Sequence, residues 1–271
     1  MFYQTSMGLI YLIFNQLPFL WDTSDFIMKI NSSELAVKLK PLYQVLLDEI
    51  GEAKGEAYIK FCIQWGALFP QEENTGIVFY GRANNGWMCF DTTVEDIFDP
   101  NNTDRAFDRD DQMIWVEDSA GDVKGYNTNS SAFWRVVRKV TREFYPENEL
   151  QHIAWSNLCK VAPDGTNPSD SLYWSQLHAA GEIMKTEVEF FSPKHVVLLT
   201  GEGWAMPFLK QIFGTDEPTV IDRATFGGAK SYEIRVYRNG NVFYYVSEHP
   251  QGKNESTHIE ALIKLIKERN K

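Results

Sequence analysis

Four apolar runs along the chain each end in a cluster of polar, glycine or aromatic residues. The runs begin at Ile77, Ile153, Val196 and Val242. Stretches with helical periodicity separate them, and this alternation is typical of strands in a largely parallel sheet covered by helices. Ligands of such sheets bind outside the carboxyl ends of the strands. We therefore predict a ligand site along the sheet edge where the four clusters meet.

Apolar residues spaced three and four positions apart predict the helices. We expect them at about 32–50, 56–65, 130–144, 169–191, 204–213 and 255–270. The Asn239-Gly240 pair lies between two strand-like runs and predicts a β-hairpin with a two-residue turn.

The composition is that of one folded domain. The chain has 271 residues, of which 44% are hydrophobic and 14% are aromatic, enough to bury a large core. Its net charge of −11 argues against generic coating of nucleic acid, because an acidic surface repels phosphates. A local basic cleft stays possible, and its candidates beside the strand ends are Arg82, Lys160 and Lys253. Taken alone, Lys160 is more simply interpreted as a solvated lysine.

The cysteines and histidines indicate no metal site. Cys62, Cys89 and Cys159 are widely spaced, without a C-x-x-C pair or a Cys/His zinc spacing, and the five histidines are scattered. We predict reduced structural thiols, as is usual for a cytoplasmic protein, with no metal and no cofactor.

Residues 1–27 differ from the rest of the chain. The stretch from Met7 to Trp21 is apolar and aromatic, but Gln16 and Pro18 interrupt it and no basic residue precedes it. A secretory signal requires a positive start, and a membrane span requires a run of about 20 apolar residues, so we expect neither. We expect residues 1–27 to be an appendage, or translation to start at Met28, and residues 28–271 to form a single domain.

The first strand end offers a binding loop. Gly81 permits a sharp turn whose backbone N–H groups can hold an anion, and Arg82 adds a positive charge. The amides of Asn84 and Asn85 carry donors and acceptors suited to the edge of a base, and Trp87 offers a face for stacking. A plain turn with asparagines at positive φ is the alternative interpretation.

The other strand ends add three candidates. Asn157 follows the second run, where its amide can bind a heterocycle or simply cap a turn. Trp204, after the third run, can wall a pocket or join the core. His249, after the fourth run, can donate to a developing oxyanion, with Pro250 setting the direction of the chain.

The order of these clusters resembles the uracil-DNA glycosylase superfamily. In that family the first strand ends in a Gly-x-Asp-Pro-Tyr or Gly-x-Asn-Pro loop, a later strand ends in Asn, and the last ends in a His-Pro-Ser motif. Gly81 matches the first glycine, Asn157 the pyrimidine-reading asparagine, and His249-Pro250 the start of the last motif, over about residues 76–252. The resemblance implies a three-layer α/β/α fold with a central, mainly parallel, four-stranded sheet, to which the hairpin would be added.

The resemblance also implies a function. The protein would bind a nucleobase, a nucleotide or a flipped DNA base, and would be a hydrolase that excises bases in DNA repair, without a membrane or a metal. Asn157 would read the base edge, Trp87 or Phe90 would stack, Arg82 would hold phosphate, and His249 would face the developing negative charge.

Two departures from the family pattern concern the reaction. Ala83 stands where the family has a water-positioning Asp or Asn, so Asn84 is the candidate replacement. Residues 251–253 replace the family's Ser-x-Leu wedge, which fills the space left by a flipped base. A non-catalytic module that binds a nucleotide or a protein on the same fold is therefore the alternative function. An unrelated hydrolase using Glu202 or Asp91 is a third, and neither residue has a partner at a diagnostic spacing.

Overall fold

Helices form where the apolar periodicity predicts most of them. The computed structural model describes residues 30–51, 58–69, 76–84, 93–99, 107, 112–122 and 125–271. Its α-helices are α1 (Ser32–Ile50), α2 (Val94–Ile97), α3 (Ile114–Asp118), α4 (Ala132–Arg142), α5 (Asp170–Phe191), α6 (Glu202–Phe213) and α7 (Glu255–Arg269). Single 3₁₀ turns lie at Thr128–Ser130 and Glu149–His152. The expectations about residues 1–27 and a start at Met28 lie outside the described residues.

The described strands form one large sheet and one small one. They are β1 (Tyr58–Lys60), β2 (Gln64–Trp65), β3 (Ile77–Ala83), β4 (Ile153–Cys159), β5 (Val161–Pro163), β6 (His195–Leu199), β7 (Val220–Gly227), β8 (Ser231–Asn239) and β9 (Val242–Ser247). The large sheet has the order β2-β4-β3-β6-β9-β8-β7, and β1 pairs with β5 alone. The central four strands, β4-β3-β6-β9, are mutually parallel. The fold is therefore mixed α/β with a mostly parallel central sheet.

Helices cover both faces of this sheet. Two neighbouring residues of β4 show this, because adjacent side chains of a strand point to opposite faces. Ser156 bonds to Glu187 of α5 on one face, while Trp155 packs on Trp134 of α4 on the other. Helices α1 and α6 pack against α5, and α7 packs against α4. The layers bring the first residues of α4, α6 and α7 to the edge where the parallel strands end.

The large sheet is wider than the predicted four strands. Strand β2 adds one antiparallel strand at one edge, and β8 and β7 add two at the other. The predicted hairpin is confirmed as β8 and β9, but Asn239 pairs with Val242, so the turn residues are Gly240 and Asn241. Gly240 takes the positive φ of 57° that this tight turn requires. The apolar pattern predicts no strand over β7, whose residues are mostly exposed or half-buried.

The helix predicted over 56–65 is wrong where the structure describes it. Residues 58–60 pair with β5 and residues 64–65 pair with β4. The side chains of residues 61–65 are all buried, so burial along this segment shows no helical period. A short continuous apolar run is compatible with either element, and here strand partners distant in sequence decided the outcome.

Lys160 is not the solvated lysine that the sequence suggests. It is completely buried, and its Nζ lies 2.8 and 2.9 Å from the two carboxylate oxygens of Glu187 and 2.6 Å from Ser156 Oγ. The Tyr80 hydroxyl donates to the same carboxylate at 2.8 Å. Burial lowers the pKa of Lys160 and raises the pKa of Tyr80 well above its usual value. Lys160 therefore belongs to a buried ionic cluster between β4 and α5.

The described cysteines are free thiols inside the protein. Burial raises the pKa of Cys62 and of Cys159 to about 12, so both are protonated and unreactive at neutral pH. Cys89 lies outside the described residues. Among the helices that the structure describes, none is long and apolar enough to cross a membrane.

Candidate functional site

A cavity of about 1010 Å³ opens at the carboxyl ends of β3 and β4. This volume is at the upper end of the usual range for small-molecule sites. Beyond the two strands, the cavity is lined by the first residues of α4, by residues 165–167 and by the chain between β9 and α7. Asn84, Asn157 and His249, which are far apart in sequence, all line it. Three of the four strand-end clusters predicted from the sequence, those of β3, β4 and β9, therefore line one cavity.

Gly81 does not form the sharp turn that the sequence suggests, because β3 continues through it and its φ is not positive. It is the direct neighbour of Asn157 across the parallel pair β3 and β4. A Cβ atom added at Gly81 would lie 2.4 Å from Asn157 Oδ1, so the glycine gives the amide its space. Asn157 is only 2% exposed, and its Nδ2 has no hydrogen-bond partner among the described residues. Since buried amides normally find partners, a polar group of a ligand that reached this donor would satisfy it.

Asn84 follows the last residue of β3 and is also 2% exposed. Neither its amide nitrogen nor its amide oxygen has a partner within the described part of the chain. Leaving a buried polar group unsatisfied costs about 1–3 kcal/mol. Two such amides lie in the wall of one cavity, and a polar ligand with its own donors and acceptors would satisfy them.

Aromatic side chains form one wall of the cavity. Trp134 and Trp155 are in edge contact, with ring centroids 5.0 Å apart, and Trp115 lies 5.5 Å from each of them. Phe133 packs edge-on against Trp134 at 5.1 Å and also lines the cavity. Rings held by several neighbours present rigid apolar faces, which suits a flat, heterocyclic ligand.

His249 is held at the cavity by the end of β9. The carbonyl of Ser247 accepts the N–H groups of Thr200 and Gly201 at 3.1 and 2.7 Å, which ties β9 to the end of β6. The Ser247 hydroxyl also bonds to Nε2 of His258 on α7 at 2.7 Å. The chain then turns at Pro250, whose carbonyl accepts the Lys253 N–H at 3.0 Å.

One hydrogen bond to the His249 ring defines its tautomer. The backbone N–H of Gln251 donates to His249 Nδ1 at 3.2 Å, so the proton of the neutral ring sits on Nε2. Burial, aided by the positive charges of Arg82 and Lys253, lowers the pKa of His249 to about 4. At neutral pH this residue is therefore an uncharged imidazole that offers an N–H donor.

Arg82 lines the cavity beside His249 but is held by the protein. Its Nε donates to the Thr200 carbonyl at 2.6 Å, and its guanidinium lies 5.4 Å from the ring centroid of Trp204. Trp204 itself packs edge-on against Tyr173 and is not a lining residue. The structure thus brings Arg82 to the site and leaves Trp204 behind it as support for the guanidinium.

One ion pair joins the two helices that reach the cavity. Arg135 of α4 and Glu255 of α7 form a bidentate pair, with N–O distances of 2.9 and 2.5 Å, and both residues line the cavity. The pair engages the one carboxylate found among the described lining residues.

Asn85, Trp87, Phe90 and Asp91 lie outside the described residues. The remaining acidic candidate, Glu202, forms an ion pair with Arg235 and is not a lining residue.

The apolar pattern assigns the aromatic wall to the core and so misses its place in the site. Phe133 and Trp134 have helical spacing, which predicts only that they face the interior. One signal points to Trp155, because it lies two residues before Asn157 on a strand and so shares its face. The contribution of residues 165–167 has no such signal, since it depends on how the loop after β5 folds back.

We expect the free energy of unfolding to fall as the pH is lowered from about 6.5 to about 4. Burial lowers the pKa of His195, His249 and His258 to about 4 in the folded protein, whereas an unfolded histidine has a pKa of about 6.5. Between these values the unfolded chain binds more protons, so stability is complete above the upper value and is lost toward the lower one. Urea titrations at several pH values, followed by tryptophan fluorescence, measure this.

A histidine variant tests the origin of this dependence. His195 is buried, with its Nδ1 2.9 Å from the Tyr245 hydroxyl and its Nε2 2.8 Å from Asn270 Oδ1. His195→Gln should reduce the pH dependence by up to about one proton, or about 1.4 kcal/mol per pH unit. An unchanged dependence in His195→Gln contradicts the assignment.

Comparison with known proteins gives this chain no family: no protein-family model matches it, and no curated protein sequence matches it.

Proposed function

We propose that the cavity binds a nucleobase and that the protein is a divergent base-excising glycosylase of the uracil-DNA glycosylase type. One observation carries the proposal: the two buried amides of Asn84 and Asn157, both with unused hydrogen-bonding atoms, line the same aromatic-walled cavity as a neutral His249. A planar heterocycle with alternating donors and acceptors suits this combination. The helices on both faces of the central parallel strands are compatible with that fold type.

Each lining residue then has a role in base recognition. The Asn157 amide would pair with the edge of the base, because its Nδ2 donor is held beside Gly81 and is otherwise unused. Phe133 or Trp155 would take the place of Trp87 in covering a face of the ring. If the substrate is DNA, the target nucleotide must leave the stack to enter the cavity.

The reaction would be hydrolysis of the bond between the base and C1′ of the sugar. As this bond breaks, its electron pair leaves with the base, and the Nε2–H of His249 donates to the base oxygen on which negative charge develops. A water oxygen forms the new bond to C1′, and the proton it loses neutralises the departing base. Asn84 is the candidate for holding this water, since Ala83 has no polar side chain.

We expect wild-type protein to release uracil or hypoxanthine from oligonucleotides that contain them. His249→Ala should lower the single-turnover rate by about 10²–10³-fold, as for the loss of one donor to a developing anion, and Asn157→Ala should do so for uracil. His178→Ala, which removes an exposed histidine, is the matched control. Absence of excision by the wild type at every salt concentration contradicts the enzymatic function.

A second function, nucleotide binding without catalysis, rests on a different observation. The carboxylate among the described lining residues, Glu255, is engaged by Arg135, and Ala83 replaces the family's water-handling residue. Thermal-shift measurements with free bases, nucleosides and nucleotides separate the two functions. Stabilisation by a ligand that the protein never cleaves supports binding alone.

A further inference from the structure

Two lysines share one aromatic ring, and one of them directly follows residues that line the cavity. The Nζ atoms of Lys230 and Lys253 lie 5.2 and 5.0 Å from the ring centroid of Tyr232. The two ammonium groups therefore cannot be farther apart than the sum of these distances. Lys230 and Tyr232 belong to the tip of the β7–β8 hairpin, whereas Lys253 comes from the loop before α7. We call these three residues the lysine–tyrosine patch.

The patch is built on well-anchored elements. Gly227, at the end of β7, donates its N–H to Thr257 Oγ1 of α7 at 2.9 Å. The adjacent Phe226 stacks on His258 of the same helix, with ring centroids 3.9 Å apart and nearly parallel planes. These contacts hold the hairpin tip against the first turn of α7, so Lys230 and Lys253 meet because of the tertiary structure.

The charge of the patch is not neutralised by the described part of the protein. Neither lysine forms an ion pair with a described carboxylate, although the chain has a net charge of −11. Two carboxylates of the adjoining elements are engaged by arginines: Glu255 of α7 pairs with Arg135, and Glu233 of β8 pairs with Arg223 and Arg235. Two ammonium groups on one ring, neither paired with a described carboxylate, make the local potential positive and favour the binding of an anion.

The patch adjoins the candidate site. Gln251 and Gly252, the two residues before Lys253, line the cavity. The charge of Lys253 also contributes to lowering the pKa of both His249 and His258, which places its ammonium in electrostatic range of the cavity. A group attached to a ligand in the cavity and extending past residues 251–252 therefore meets the two lysines.

We infer that the lysine–tyrosine patch binds a phosphate group attached to the ligand of the cavity. Lys230 and Lys253 bind the phosphate oxygens, and Tyr232 holds the two ammonium groups in place by cation–π contacts. The inference deepens the proposed function, on which it rests for the base in the cavity. The phosphate is either that of a free nucleotide or that of a neighbouring nucleotide in a strand.

The test compares binding of three probes: deoxyuridine, deoxyuridine monophosphate, and a fluorescent eight-nucleotide single strand with one uracil. Lys230→Ala/Lys253→Ala should weaken binding of one or both phosphorylated probes by about tenfold or more, with a shallower salt dependence, and leave deoxyuridine unaffected. Lys230→Arg/Lys253→Arg should retain binding. Lys210→Ala/Lys264→Ala removes two exposed lysines elsewhere, so it matches the change in net charge.

The probes distinguish the source of the phosphate and the two proposals. If the double alanine variant binds deoxyuridine monophosphate more weakly, the phosphate is that of a free nucleotide. If it binds only the strand more weakly, the phosphate is that of a neighbouring nucleotide. A strand with an abasic site in place of uracil reports on the patch without any base. One outcome would support the patch and contradict the proposed base site: deoxyuridine does not bind to the wild type, and the double alanine variant binds the abasic strand more weakly than the wild type does. Equal binding of every phosphorylated probe by the wild type and the double alanine variant overturns the patch.

Discussion

Replacing Glu187 by glutamine is expected to lower the free energy of unfolding by about 3–5 kcal/mol, the usual cost of leaving one buried charge without its partner. The carboxylate accepts hydrogen bonds from Lys160, Tyr80 and Ser156, and both members of the ion pair have side chains with no exposed surface. Without the carboxylate, the Lys160 ammonium stays buried among groups that cannot neutralise it. Urea unfolding measures the loss.

Two further variants isolate the ion pair as the cause. Glu189→Gln changes an exposed glutamate two residues along the same helix and should stay within about 0.5 kcal/mol of the wild type. Lys160→Met/Glu187→Leu removes both charges and should recover part of the stability. The recovery is incomplete because the buried hydroxyls of Tyr80 and Ser156 lose the carboxylate that accepts their hydrogen bonds. A loss below about 1 kcal/mol in Glu187→Gln contradicts the description of this cluster.

Replacing Gly81 by alanine is expected to weaken binding of a nucleobase by about 30- to 100-fold, or about 2–3 kcal/mol. The added methyl group would lie 2.4 Å from Asn157 Oδ1, so the amide must rotate away from its present position. Because the contact is with the end of a side chain and Gly81 does not have a positive φ, the chain can still fold. The measurement is a dissociation constant for deoxyuridine or for a uracil-containing strand.

The control for Gly81→Ala is Gly203→Ala. Gly203 lies in the first turn of α6, where an added Cβ meets nothing within 4 Å. This variant should bind as the wild type does, while Gly81→Ala should resemble Asn157→Ala. If Gly81→Ala binds with wild-type affinity, Asn157 does not read the base from its present position.

The main elements of the fold follow from local sequence patterns. Helix α5 begins after Ser169, whose hydroxyl accepts the N–H of Leu172, and α6 ends at Gly214, which has a positive φ of 62°. These signals act within a few residues, so they can be read without knowing the rest of the molecule. Parallel pairing of the four apolar runs follows from their alternation with helices. Strands β2, β5 and β7 are too short or too polar to be identified in this way.

The candidate site was predictable only in part. Its location follows from the general rule for parallel sheets, and Asn84, Asn157 and His249 follow from their positions after apolar runs. The burial of Lys160 was not predictable, because its counter-charge lies 27 residues away on α5. The partnership of Lys230 with Lys253 depends in the same way on a hairpin docking against a distant helix.

By itself, the sequence determined the alternation of helices and strands and the edge of the sheet at which polar residues collect. Periodicity, capping and backbone freedom are local properties, and they act through neighbours along the chain. Only the tertiary structure decided which of those polar residues share a cavity, that the charge of Lys160 is buried, and that Lys230 and Lys253 have no ion-pair partner among the described residues. Those outcomes depend on contacts between residues far apart in sequence, where packing and desolvation, rather than local preference, set the free energy.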